Sequence, residues 1–430
     1  MSRAALAIPA LILLAGVAPV LVSSQSSQAP PPQGTGQPPP PPLPPLPPIP
    51  DRVLSDAIAN RALLALSARA PRKMADMKMS VPADNPLTDE KVALGSRLFF
   101  DPILSNDRSV SCSTCHKPER AFTDERPLAV GVFGRVGRRN SPSLVNRGFG
   151  RSHFWDGRAL TLEAQVLQPI SDPNEMDLSI EDAVGRLNAD ASYRAAFQAA
   201  FERPLSSEDL SRALASYLRA VRTDDSPYDR FVAGEKDALT EEQQRGLQIF
   251  RSKGRCTICH AEPTFTDEQF QNTGVAWRIE PGAETGAFQD DGRFAVSHNE
   301  RDRGKFKTPT LREIARTAPY MHDGSLKTLA DVVEFYDKGG RPNPNLFVLV
   351  RPIGLTPDEK QALIKFLESL SGTVTPAFSS PRARLARTPR DSAPSSPRTR
   401  ATPRRRSRRP RRRSARPERS CPDRPRRPAH

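Results

Sequence analysis

Once its two ends are set aside, this 430-residue chain has almost no net charge to offer a polyanion. The formal total is +15, yet residues 381–430 alone hold 19 arginines against Asp391, Glu418 and Asp423, a surplus of 16. The remainder is close to neutral, which removes nucleic acid as a partner of the folded part. The tail from 376 to 430 has no lysine and is mostly proline, serine, alanine and arginine, too poor in apolar residues to build a core. It reads as a disordered appendage, and contact with anionic lipid or the cell envelope is its one functional reading. Cys421 within it has no obvious partner. Period-two alternation of apolar and polar residues is also scarce, which argues against a strand-built fold.

Long apolar runs are confined to AALAIPALILLAGVAPVLV, which follows Arg3 and leads into small residues. That is the shape of an export signal over residues 1–24, and it implies a periplasmic protein. At 19 residues the run could just span a bilayer, so an uncleaved anchor is the competing reading, although Pro9, Gly16 and Pro19 make it a poor permanent helix. Residues 25–50 carry 13 prolines from Pro30 onward and form an extended, solvated spacer.

The middle of the chain holds what the ends lack. SCSTCHKPERAFTD starts at Ser111, and RCTICHAEPTFTD repeats its pattern from Arg255, with Cys112 and Cys256 144 residues apart. LTDEKVALGSRLFFD precedes the first cluster as LTEEQQRGLQIF precedes the second. Two related units follow, 51–235 and 236–375, each entered by a helix. Thr240 with Gln243, Thr328 with Asp331 and Thr356 with Glu359 have capping-box spacing. Leu363, Phe366, Leu367 and Leu370 fall on one helical face. The expected fold is mainly α, with long connecting loops.

Each cluster is C-x-x-C-H: Cys112, Cys115 and His116, then Cys256, Cys259 and His260. A disulfide would leave the adjoining histidine unexplained. A zinc site would lack the usual second pair of ligands. Covalent haem uses all three residues, two thiols for thioethers and the histidine for iron. Export agrees, since c-type haem is attached outside the cytoplasm. The chain therefore reads as a carrier of two c-type haems, and the sixth iron ligands decide between an electron carrier and a peroxidase. Candidates are few: His153, His298, His322 and His430, with Met74, Met77, Met79, Met176 and Met321. Spacing does not choose among them.

The ordered series LGSRLFFDPILSNDRSVSCSTCH, RNSPSLVN, FWDGRA, QPISDPNEM, RCTICH, FKTPTLREIARTAPYMHDGS and TLADVVEFYDKGG resembles the bacterial di-haem cytochrome c peroxidase and MauG family from about residue 87 to 372. The resemblance implies two cytochrome c-like haem domains meeting across calcium, the N-terminal one peroxidatic and the C-terminal one for electron transfer. It implies calcium held by Asn140 and by the backbone oxygens of Thr317 and Pro319, hard donors for a hard cation. Trp155 would relay electrons between the haems. Glu175 would be the distal acid–base group, with Gln165 and Pro169 lining that pocket. His116 and His260 would bind the two irons and Tyr336 would be the second axial ligand of the second, with Met321 as the alternative and His322 a hydrogen-bonding group behind it. Where many members carry a removable histidine, this chain has Val132, so the first haem should be five-coordinate, with His153 the only other cap considered.

The activity implied is reduction of hydrogen peroxide with electrons from a partner protein, a small cytochrome c or cupredoxin. One alternative is MauG-like oxidation of residues in a client protein. A second is a non-enzymatic di-haem electron carrier.

Overall fold

The computed structural model describes residues 73–376. The expected signal, the proline-rich spacer and the arginine tail, together with Cys421 and His430, lie outside the described residues. Mainly helical structure is what the pattern led one to expect. Among the described residues, strand is limited to two antiparallel pairs of two residues each, Phe270–Gln271 with Phe306–Lys307 and Trp277–Arg278 with Ala287–Phe288. No helix among the described residues is long and apolar enough to cross a membrane.

Helices begin where the side chains can satisfy free backbone amides. Thr240, Thr328 and Thr356 each accept from the amide three residues on, and Gln243, Asp331 and Glu359 return the bond, as their spacing predicts. Thr88 and Thr161 cap the helices Asp89–Phe100 and Leu162–Ser171 in the first half.

Two hydrophobic clusters result. The first is built around the helices Asp89–Phe100 and Ser207–Ala220, the second around Glu241–Arg251 and Pro357–Glu368. Both helix pairs cross at a glycine. A Cβ on Gly95 would collide with the Ala213 carbonyl, and one on Gly246 with that of Ala362. Phe99 then meets Tyr217 at 5.1 Å between ring centroids and Phe122 at 5.8 Å. Phe250 meets Phe366 and Phe265 at the same two distances. The internal repeat is thus a repeat of packing, and each buried Phe contributes about 1.5–3 kcal/mol to it. Tyr228, on the helix Pro227–Ala233, belongs to the second cluster, and Val374 from near the end of the described chain returns to the first.

Candidate active site

Each C-x-x-C-H segment wraps into a single turn that ends at its histidine. His116 N donates to Cys112 O at 2.9 Å, and His260 N to Cys256 O at 2.8 Å. The chain then doubles back through residues of positive φ, Phe122 (61°) and Phe265 (54°), which aims their carbonyls at the imidazoles. His116 Nδ1 lies 3.0 Å from Phe122 O and His260 Nδ1 2.9 Å from Phe265 O. A nitrogen facing a carbonyl must carry the proton, so in both rings Nε2 keeps its lone pair for a metal. Burial lowers both imidazole pKa values and keeps the rings neutral.

The thiols are free of disulfide bonds, which sets that reading aside. Burial pushes Cys115 up to about 11 and Cys112, Cys256 and Cys259 up to about 12. No group of three His, Cys, Asp or Glu among the described residues converges as a metal cage. Neutral thiols within one turn of an imidazole acceptor fit a covalently held haem, whose thioether bonds need no charge.

One cavity of about 700 Å³ is lined by both clusters: Cys115 and His116 on one side, Cys256, Cys259 and His260 on the other. A smaller space of about 70 Å³ adds Cys112 beside Gln165, Pro169 and Glu175. Trp155, Asn140, Thr317, Pro319 and Tyr336 line the larger cavity too, as do His153, His322 and Met321, whereas His298, Met74, Met77 and Met79 line neither space. His116, His260 and Tyr336 keep accessible surface although protein encloses them, and that surface faces the cavity.

Over the first cluster stands Glu175. Burial, reinforced by Asp172 and opposed by Arg158, pushes its carboxyl up to about 7. Val132, where a histidine would be expected in many relatives, is fully buried in the first core, and its amide donates to the Glu175 carbonyl. Neither Asp172 nor Arg158 carried a spacing signal. Arg158 is fixed by Asp156, whose carboxylate accepts at 3.0 and 3.2 Å, and by Gln168 at 2.9 Å.

The two halves repeat beyond the clusters, with an offset of 167 residues. Phe154 (φ 66°) matches Met321 (73°), and Gly157 (70°) matches Gly324 (63°). His153 bridges to Ala159 as Tyr320 bridges to Leu326. The caps Thr161 and Thr328 correspond, so Gln165 and Pro169 occupy the helix positions of Val332 and Tyr336. One half therefore presents a phenol to the cavity where the other presents a ring with no donor atom. Burial, then the Cys259 and Cys256 sulfurs, hold the Tyr336 phenol well above its usual pKa.

Trp155 and His322 are also counterparts, and they meet near the middle. Their rings lie 6.4 Å apart, edge to face. Trp155 Nε1 donates to Asn140 O at 2.8 Å, while Asn140 N donates to His322 O at 2.7 Å. His322 stacks on Phe306 at 3.6 Å, and burial brings it down to about 4 against the pull of Asp323 and Asp290. Arg139 ties the halves, donating to Asp290 at 2.7 and 2.8 Å and to Asp156 at 2.6 Å.

Asn140 spends its amide hydrogens on the Arg126 and Pro127 carbonyls, at 3.0 and 3.2 Å, which identifies the other end of its carboxamide as oxygen. Among the described residues no donor reaches that oxygen or the carbonyls of Thr317 and Pro319. Three unclaimed oxygens on one cavity fit a calcium ion. His153 lines the same cavity: burial and Arg147 bring it down to about 3, among Glu268, Lys307 and Arg219.

Residues 89–237 match the family model for di-haem cytochrome c peroxidase. The methylamine utilization protein MauG of Methylorubrum extorquens is 40% identical over 311 residues, covering 72% of this chain and 85% of that protein. The chain belongs to the di-haem cytochrome c peroxidase family. The cytochrome-c peroxidase IdrP2 of Denitromonas iodatirespirans is 34% identical, covering 74% of this chain and 90% of its own. A solved MauG-like protein associated with microbial copper homeostasis superimposes with a TM-score of 0.65 at 35% identity, over 72% of this chain and 98% of that one. The protein is accordingly a haem oxidoreductase of the di-haem peroxidase type.

Proposed function

We propose that this peroxidase reduces hydrogen peroxide at the cavity beneath Glu175 and draws the electrons from a docked protein through the second cluster. Bound there, haem supplies the redox-active iron and a store for oxidising equivalents. Two haem-binding units, 51–235 and 236–375, are taken to surround the two cores. His116 Nε2 and His260 Nε2 would hold the irons, with the four cysteines anchoring the porphyrins.

Glu175 does the acid–base work. Peroxide needs two protons and two electrons to become two waters, and the first demand is to take a proton from one oxygen and return it to the other. A carboxyl brought near neutrality by burial can do both at physiological pH. Gln165 and Pro169 shape the floor of that space. The observation that carries the reading is the pair of equivalent helix positions, Pro169 against Tyr336: a side chain that cannot ligate faces the first cluster and one that can faces the second. Val132, buried in the core, offers no ligand either.

Tyr336 would face the second iron, where the metal's charge favours the phenolate that its present surroundings disfavour. Trp155, anchored on Asn140, is the relay between clusters, and calcium on Asn140, Thr317 and Pro319 would steady that anchor. Export to the periplasm and a cytochrome or cupredoxin donor complete the proposal. Val132 and Tyr336 equally support oxidation of residues in a client protein.

Stopped-flow mixing of fully ferric holoprotein with peroxide tests this. Rapid reaction without prior reduction is expected. Reaction only after one-electron reduction would overturn the open face, and two low-spin ferric haems would make the protein a carrier.

A further inference from the structure

The internal repeat assigns every residue of the calcium site a counterpart 167 positions away. Asn140 corresponds to Lys307, Thr317 to Gly150 and Pro319 to Ser152. The correspondence is anchored on both sides. Asn140 N donates to His322 O at 2.7 Å, and Lys307 N donates to Trp155 O at 2.8 Å, so the two segments cross to the opposite half in the same way. The 3-10 turn Arg147–Phe149 recurs as Ile314–Arg316, each preceded by a left-handed residue, Asn146 or Glu313.

The chemistry at the counterpart is inverted. Where Asn140 offers an oxygen, Lys307 brings an ammonium. Where the Pro319 carbonyl is unclaimed, the Ser152 carbonyl accepts from Arg147 Nη2 at 2.9 Å. Arg147 also forks onto Glu268 at 2.8 and 3.1 Å, and Arg151 N reaches the same carboxylate at 3.2 Å. Lys307 Nζ stands 3.8 Å from Glu268, with both side chains 9% exposed. Arg147 has Ile314 as its counterpart, which carries no charge.

We infer that Arg147 and Lys307 are a covalent substitute for a second calcium ion: the protein supplies the positive charge itself in one half and recruits it from solution in the other. The inference rests on the calcium reading of Asn140, Thr317 and Pro319. Both devices brace the same relay, because Trp155 hangs by its indole from Asn140 and by its carbonyl from Lys307. Chelation can therefore loosen only the indole end, and the carbonyl end is independent of ambient metal.

The test is the number of calcium ions per chain, by elemental analysis and calorimetry on dialysed holoprotein. Wild type is expected to bind one. The double variant Arg147→Ile, Lys307→Asn gives the counterpart site the composition of the calcium site and leaves Glu268 as an anionic oxygen donor; it is expected to bind two, with a melting temperature that rises with calcium. Arg147→Ile alone keeps the ammonium in place and should stay at one, a measurement that remains decisive if the double variant fails to accumulate. Two ions in wild type, two in the single variant, or one in the double variant overturns the inference while leaving the calcium reading intact. No calcium in wild type sinks the calcium reading and the inference with it.

Discussion

The backbone amide of Val132 donates to the carbonyl of Glu175 at 2.9 Å, joining the loop that follows the first haem cluster to the carboxyl above it. Gly131 makes this possible, since a Cβ there would collide with the carbonyls of Asn174 and Glu175. Gly131→Ala should displace Glu175. A displacement of about 1 Å can cost roughly 10²-fold in rate. The check is a fall of that order in kcat/KM for peroxide at unchanged haem content.

Glu175→Gln removes the proton carrier and keeps the volume, and a loss of about 10²–10⁴-fold is expected in peroxide turnover. The pH profile is the sharper measurement. The carboxylate form accumulates as pH rises through about 7, so wild-type kcat/KM should climb across that window and the variant should be flat there. Stability moves the other way. The folded state holds a proton that the unfolded carboxyl releases near its ordinary 4.5, so this group's contribution to stability diminishes as pH rises from about 4.5 through about 7.

Tyr336→Phe deletes the phenol oxygen at the second cluster and leaves the aromatic packing. The expected result is a changed ferric spectrum and a shifted midpoint potential for one haem only. The initial peroxide reaction should survive, because Pro169, Val132 and Glu175 belong to the other half. Potentiometric titration of the two haems checks it, and two unshifted potentials would remove Tyr336 from the iron.

Gly246→Ala places a methyl against the Ala362 carbonyl in the second core, and Gly95→Ala does the same against Ala213 in the first. Each should destabilise by about 1–3 kcal/mol, the usual cost of overpacking. Thermal or denaturant unfolding of the holoprotein measures this. Similar losses in the two variants would bear out the equivalence of the helix pairs.

Much of this was readable before any coordinates. The C-x-x-C-H clusters, the FTD segments and the capping boxes are local, and local chemistry survives in sequence. Tyr336 was less legible, because Leu329, Val332, Val333 and Tyr336 share a face that could equally be core. The 167-residue correspondence leaves only short traces in the sequence, Ser141-Pro142-Ser143-Leu144 against Thr308-Pro309-Thr310-Leu311 and Asp156-Gly157 against Asp323-Gly324, while Phe154 and Met321, like Asn146 and Glu313, share a left-handed φ and little else. Arg147, Glu268 and Lys307 come from three distant segments and have no spacing to betray them. Their meeting depends on segments that cross between halves, a property of tertiary structure alone.

On the proposed ligation, the difference between Pro169 and Tyr336, eight residues past matching threonine caps, would give the duplicated scaffold its polarity. Two sockets cut from one pattern would otherwise compete for oxidant and short-circuit each other. On the proposed ligation a phenol stops one socket and the other stays bare, which would make the current one-way, its direction set by a side chain that could in principle be moved from one socket to its twin.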